Sequence, residues 1–64
     1  MTEKQIIKAI SKVENIGGMT VNERLYVCGL MDEFDKSMKS DKRKAEIILE
    51  NLGVDKQSID EIVK

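Results

Sequence analysis

The chain has 64 residues, a net charge of −1, a single Cys and neither His, Trp nor Pro. One Cys excludes an internal disulfide framework, and the absence of His removes the most common catalytic base and metal ligand. No apolar run approaches the roughly 20 residues of a membrane span, so a spanning helix is excluded as well.

The first apolar cluster, residues 6–10, is interrupted by Lys8 and flanked by further lysines, unlike a signal peptide. We therefore expect a cytoplasmic protein that does not associate with membranes. The abundance of Lys, Glu, Ile and Leu favours helix throughout, and we expect one helical domain, residues 1–64. Because no phosphate-binding, metal-binding or nucleotide motif occurs, we expect no cofactor and no enzymatic activity.

The first predicted helix begins at Thr2, which forms a capping pair with Gln5 three residues later. We expect it to end at Gly17 and Gly18, where the first Gly can adopt the left-handed closing conformation. Between these points apolar residues recur at three- and four-residue spacing, which is typical of an amphipathic helix: Ile6, Ala9, Ile10, Val13 and Ile16.

The stretch from Thr20 to Met38 contains the only Phe, the only Tyr and the only Cys, and we expect the rest of the chain to pack around it. Thr20 and Glu23 form a second capping pair, which marks a helix start. The apolar stripe then changes direction at Gly29, and we interpret this change as a bend, because Gly enters left-handed conformations most easily.

After the bend, Asp32 is expected to cap a short helix that carries Phe34 and Met38 inward, with Phe34 at the centre of the core. Cys28 lies on an apolar stripe, which favours a small buried hydrophobe over a thiol nucleophile.

A further helix is expected to begin at Ser40 or Asp41 and to end at Gly53. Ile47 lies on the outer side of this helix and belongs to a docking patch only if another exposed apolar residue adjoins it, for which the candidates are Ile7, Tyr26 and Val27. The inner face of the helix consists of apolar residues at helical spacing: Ala45, Ile48, Leu49 and Leu52.

The last helix is expected to be capped by Asp55 or by Ser58, and Ser58 forms a possible capping pair with Glu61. Its apolar residues close the core in this interpretation: Ile59, Ile62 and Val63. The sequence thus predicts an all-α fold, a compact orthogonal bundle of four or five short helices.

Charges alternate in blocks along the second half of the chain. An acidic group, Asp32, Glu33 and Asp35, precedes a basic run that extends from Lys36 to Lys44. On a helix, Asp32 and Asp35 are expected to pair with Lys36 and Lys39, four residues further on. The acidic group lacks the alternating oxygen ligands, the Gly and the final Glu of a calcium-binding loop, so we expect no metal site.

The segment LENLGVDKQSIDEI, residues 49–62, resembles the core of a helix-turn-helix, in which the second helix reads the major groove of DNA. It departs from that family at Leu49, where a small residue is usual, and it carries acidic residues on the would-be recognition helix. The resemblance implies a small DNA-binding regulator as the alternative function. The residues expected to contact DNA are Lys42, Arg43, Lys44, Lys56, Gln57 and Ser58.

A second resemblance covers about half of the chain. The pattern NERL at residues 22–25, followed by Leu30 and by DEFD at residues 32–35, is similar to that of short uncharacterised bacterial proteins. The resemblance implies a shared fold but no activity, and it assigns no functional residues.

The size, the separated charges and the missing catalytic groups favour a non-enzymatic module that binds another protein or a second copy of itself, more than one that binds nucleic acid. An immunity protein, an antitoxin or an inhibitor of host defence, from a bacterium or a phage, fits this description. We expect the contact surface to contain an exposed aromatic ring beside the acidic group: Tyr26, Asp32, Glu33 and Asp35.

Overall fold

Five short α-helices make up the fold, and the computed structural model describes them along the whole chain, residues 1–64. The helices are α1 (Glu3–Ser11), α2 (Val21–Val27), α3 (Met31–Ser40), α4 (Lys42–Asn51) and α5 (Lys56–Ile62), and a 3-10 turn occupies Ile16–Gly18. The chain contains no β-strand. The predicted all-α bundle of four or five short helices is therefore confirmed.

Helix α4 lies at the centre of the bundle, because α1, α3 and α5 all pack against it. Its predicted inner face is confirmed: Ala45, Ile48 and Leu49 are completely buried, and Leu52 is 1% exposed. The chain is thus organised around α4, and the expectation that it packs around the stretch 20–38 is wrong.

The expected central position of Phe34 is also wrong, because its ring is only half-buried and packs against the margin of the core. Aliphatic side chains fill the interior instead, and the six largest of those that are fully buried are less than 2% exposed. A helix covered from three sides leaves narrow spaces that branched side chains fill at crystal-like density, so the flat ring lies at the edge. The six aliphatic residues are Ile6, Leu25, Leu30, Ile48, Leu49 and Leu52.

Helix starts follow the predicted capping pairs in α1 and α2. The hydroxyl oxygens of Thr2 and Thr20 accept hydrogen bonds from backbone N–H groups three residues later, and the side chains of Gln5 and Glu23 accept from the threonine N–H groups in return. These reciprocal bonds satisfy donors that a helix end leaves unpaired.

Aspartates cap α4 and α5, the two helices for which the sequence offered alternative capping residues. Asp41 accepts from the N–H of Lys44 at 3.3 Å, and Asp55 accepts from the N–H of Ser58 at 3.1 Å. Ser58 lies inside α5, so its predicted capping pair with Glu61 does not form.

The predicted cap at Asp32 is also wrong. Helix α3 begins one residue earlier, at Met31, and follows Leu30 without a side-chain cap. The carboxylate of Asp32 instead lies in the first turn, where a negative charge interacts favourably with the helix dipole.

Two glycines end helices in the left-handed conformation, and the predicted bend at Gly29 is confirmed. The φ angles of Gly29 and Gly53 are 69° and 84°. After each glycine the chain folds back: the N–H of Leu30 donates to the carbonyl of Leu25 at 2.9 Å, and that of Val54 donates to Leu49 at 3.1 Å. These bonds satisfy carbonyls at the helix ends and turn an apolar residue inward.

The first and the last helix of the chain each differ in part from the prediction. Helix α1 stops at Ser11 rather than at Gly17, and Asn15 adopts the left-handed conformation with φ of 61°. Asn tolerates this conformation better than other residues with side chains, so the chain can leave the helix before the glycines. At the other end, Ile59 and Val63 are buried as expected, but Ile62 is 37% exposed and lies outside the core.

The guanidinium of Arg24 joins three parts of the chain. Its Nε donates to the carbonyl of Met19 at 3.0 Å, one terminal nitrogen donates to the carbonyl of Leu52 at 2.8 Å, and the other donates to the carbonyl of Gly17 at 3.2 Å. The Leu52 carbonyl lies at the negative end of the α4 dipole, which makes the contact with a cation favourable. Arg24 thus fixes α2 and the preceding loop to the end of the central helix.

We predict that Arg24→Lys lowers the free energy of unfolding by about 2 kcal/mol, because one ammonium group cannot reach three carbonyls that a planar guanidinium contacts together. Arg43→Lys is the matched control, since Arg43 is exposed and pairs only with surface carboxylates; it should cost less than about 0.5 kcal/mol. Urea denaturation followed by circular dichroism measures both values. Equal losses in the two variants would show that Arg24 does not hold the fold together.

Candidate protein-binding site

The acidic group divides between two surfaces of α3. Glu33 faces α4, where its carboxylate lies 2.8 Å from Nζ of Lys44 and 3.2 Å from the α-amino group of Met1. Hydrogen bonds from Lys44 and from this amino group hold the pKa of Glu33 below its ordinary value of 4.5. Glu33 therefore joins helices within the fold and does not lie on one surface with the rest of the acidic group.

Asp32 and Asp35 lie on the outer face of α3 and are exposed. The predicted ion pairs with Lys36 and Lys39 do not form, and neither aspartate lies in any other ion pair of the chain. Both carboxylates are therefore available to cations outside the chain.

An apolar groove surrounds Tyr26, which is 77% exposed and is the most exposed large hydrophobic residue of the chain. The groove has a volume of about 400 Å³ and opens to solvent. Helix α2, the loop before it and the start of α3 provide its lining, which consists of Met19, Asn22, Glu23, Tyr26, Val27 and Met31.

The turn at Gly29 explains how the groove forms. Because α2 ends at Val27 and α3 begins at Met31, the left-handed glycine turns the chain sharply and brings Met31 to the same groove as Tyr26 and Val27. In an α-helix, residues four apart lie on one face, so Asp35 follows Met31 directly along α3. Asp32 is the residue after Met31, so both exposed aspartates lie close along α3 to a residue that lines the groove with Tyr26.

The groove contains apolar residues other than those the sequence offered. Ile47 is half-buried and, like the exposed Ile7, it does not line the groove. Met19 and Met31 complete the apolar surface instead. The carbonyl of Met19 accepts a hydrogen bond from Arg24, five residues further along the chain, and the sequence carried no signal for this contact.

Most of the side chains expected to contact DNA have partners within the chain. Arg43 lies 3.4 Å from Glu46 and 3.7 Å from Glu50, and Lys56 lies 3.8 Å from Asp60. Lys44 binds Glu33 at 2.8 Å, and the hydroxyl of Ser58 donates to Asp55. The two others, Lys42 and Gln57, are exposed and form no ion pair.

A second hollow lies between α4 and α5, with a volume of about 250 Å³. Three carboxylates, those of Glu46, Glu50 and Asp60, line it together with Lys56. The surface beside the start of α5 is therefore mainly acidic, which opposes the approach of a phosphate backbone.

Cys28 is 8% exposed, and burial raises the pKa of its thiol above the ordinary value of 9.0. The thiol is therefore protonated at neutral pH and packs as a small hydrophobe, as predicted. No cluster of three or more Cys, Asp and Glu side chains is arranged to hold a metal ion. None of the helices has the length and apolar character needed to cross a bilayer.

Comparison of the chain with protein-family models, with curated proteins and with solved structures finds no match. The resemblance of residues 22–35 to short bacterial proteins stays a prediction. What the chain binds must therefore be inferred from its own side chains.

The ion pairs of Glu33 predict an acid-dependent loss of stability. Since the pKa of Glu33 is lowered in the folded chain, these pairs stabilise the fold above the ordinary value of 4.5, and the stabilisation disappears as pH falls through the lowered folded-state value. We predict that Glu33→Gln is less stable than the wild type at neutral pH and loses less stability between about pH 5 and about pH 3.

Urea denaturation at a series of pH values measures this dependence. Asp35→Asn is the control, because Asp35 lies in no ion pair, and its stability should follow the wild-type pH dependence. If the free energy of unfolding of Glu33→Gln fell with pH as steeply as that of the wild type, the stabilising role of the Glu33 ion pairs would be contradicted.

Proposed function

We propose that the chain is a non-enzymatic protein-binding module that docks a partner protein on the groove around Tyr26 and acts by covering the partner's surface. Small bacterial and phage proteins of the immunity, antitoxin and host-defence-inhibitor types act by occlusion, and we propose this class for the chain. The observation that carries the proposal is the 77% exposure of Tyr26 above an apolar groove.

The exposure of Tyr26 has no role in folding that the structure reveals. Leu25, its neighbour in α2, is the buried residue of that helix, and Arg24 ties the helix to α4. A tyrosine that lines one groove together with Met19, Val27 and Met31 offers a partner a large surface at low entropic cost, and aromatic residues and methionine are enriched at protein interfaces. The unused apolar surface therefore favours a role in recognition.

The size of the chain and the residues that line its two hollows also favour binding over catalysis. The chain measures 28 × 24 × 16 Å, and both hollows open to solvent. The groove around Tyr26 has one carboxylate, that of Glu23, and one of its oxygens accepts a hydrogen bond from the N–H of Thr20. An acid–base or nucleophilic mechanism requires groups free to exchange protons in a site shielded from water.

DNA binding is the second candidate. Its support is the connection between α4 and α5, residues 52–55, which has the length of a helix-turn-helix turn. The acidic hollow beside α5 and the paired Arg43, Lys44 and Lys56 oppose it. We therefore rank it below protein binding.

We predict that Tyr26→Ala abolishes capture of the partner, because Tyr26 is the most exposed large hydrophobic residue of the groove. Affinity capture with the tagged chain, from extract of the cells that produce it, followed by mass spectrometry, identifies proteins that wild type retains and the variant loses. Ile7→Ala is the matched control, since Ile7 is another exposed apolar residue, lies outside the groove and should leave capture unchanged.

Circular dichroism must show native helix content in both variants, as expected for exposed side chains. A partner retained equally by wild type and Tyr26→Ala would refute the groove as the docking site. Retention on duplex DNA that weakens steeply with salt, together with no Tyr26-dependent protein partner, would favour the regulator instead.

A further inference from the structure

We infer that the occupant of the groove is a cationic amphipathic segment of another protein, which inserts apolar side chains beside Tyr26 and places Lys or Arg side chains against Glu23, Asp32 and Asp35. This inference rests on the proposed function and specifies the chemistry of the partner.

The lining of the groove determines the apolar part of the partner. Four of its six residues are hydrophobic, and the volume of about 400 Å³ lies in the lower part of the roughly 300–1,000 Å³ range of binding pockets. Because the groove is an open trough, it leaves much of a small ligand in water, whereas an amphipathic segment covers the trough and its rim together. Met19 and Met31 add side chains that adapt to the shape of the inserted residues.

The charges around the groove determine the polar part of the partner. Glu23 lines the groove, and hydrogen bonds from Thr20 lower the pKa of its carboxyl, so it is ionised at neutral pH. Asp32 and Asp35, beside Met31 on α3, lack cationic partners within the chain. No lining residue is basic, although the guanidinium of Arg24 contacts the Met19 carbonyl, and the carboxylates of Glu23, Asp32 and Asp35 attract cations.

The nearest positive charges on the same helix lie farther from the groove. Lys36 and Lys39 are five and eight residues beyond Met31, which at 1.5 Å per residue is roughly 8 and 12 Å along the helix axis. Asp32, in the first turn of α3, lies nearer to Met31 along the axis than either lysine does. A partner whose cations flank its apolar side chains closely meets Asp32 before it reaches these lysines.

A second copy of the chain fits the groove poorly. In a two-fold dimer formed through the groove, the acidic rim of one copy would lie near the acidic rim of the other. This arrangement is unfavourable because like charges repel. The basic face of α1, with Lys4, Lys8 and Lys12, presents one exposed apolar side chain, that of Ile7. A single isoleucine does not cover a groove lined by four apolar residues.

Titration of the isotope-labelled full chain with two synthetic peptides tests the inference by NMR. Both peptides are about 15 residues long, which allows an amphipathic helix to form on binding, and both carry Leu on one face. One has Lys on the other face, and its matched counterpart has Glu there. We expect the Lys peptide to shift the backbone resonances of Met19, Val27 and Met31 and to bind at least about ten-fold more tightly than the Glu peptide.

Charge-neutralised variants locate the electrostatic contribution. Asp32→Asn with Asp35→Asn should weaken binding of the Lys peptide about five-fold and reduce its salt dependence. The matched control, Asp60→Asn with Glu61→Gln, removes two exposed acidic charges of α5 and changes the net charge equally, but it should leave the affinity unchanged.

Other results would overturn the inference. Equal affinity for the two peptides would refute the cationic partner but would leave docking at the groove intact, since Tyr26-dependent capture tests that separately. Shifts confined to the acidic hollow between α4 and α5, or no shift with either peptide, would refute the inference. Groove shifts that grow with protein concentration in the absence of peptide would identify a second copy as the occupant.

Discussion

The burial of helix α4 on several sides is the constraint on which the rest of the structure depends. Each fully buried Ile or Leu contributes roughly 1.5–3 kcal/mol relative to exposure, and α4 with Leu52 supplies three of the six largest fully buried side chains. Helices α1, α3 and α5 therefore pack around it. Polar contacts also join the other helices to α4: Glu33 of α3 binds Lys44 at the start of α4, and Arg24 of α2 binds the carbonyl of Leu52 at its end.

Local chemistry made much of this fold predictable. The threonine capping pairs, the left-handed Gly29 and Gly53 and the apolar face of α4 each depend on residues within one or two helical turns, and each was confirmed. The failures depend on contacts between distant segments. Arg24 reaches a carbonyl 28 residues away, Glu33 is drawn to α4, and Phe34 is displaced to the margin because aliphatic residues from four helices already fill the centre.

The candidate site was predictable in part for the same reason. Exposure of Tyr26 follows from helical periodicity beside the inward-facing Leu25, and Asp32 and Asp35 lie on the outer face of α3 because Ser37 and Phe34 face inward. The groove itself requires Met19, Tyr26 and Met31 to line one surface, which no sequence spacing specifies. The short helix α2 is held in the bundle by one buried side chain, Leu25, and by the hydrogen bonds of Arg24. Its outer face is therefore free for recognition.

The central claim is that the bundle completes its own core and leaves Tyr26 uncovered. Tyr26 is the only tyrosine and the chain has no Trp, so the intrinsic fluorescence reports on this one ring. Acrylamide quenching of the native protein measures its exposure directly. We expect a quenching slope close to that of the chain unfolded in urea, independent of protein concentration. A slope typical of a buried tyrosine, or one that decreases as the concentration rises, would contradict the account.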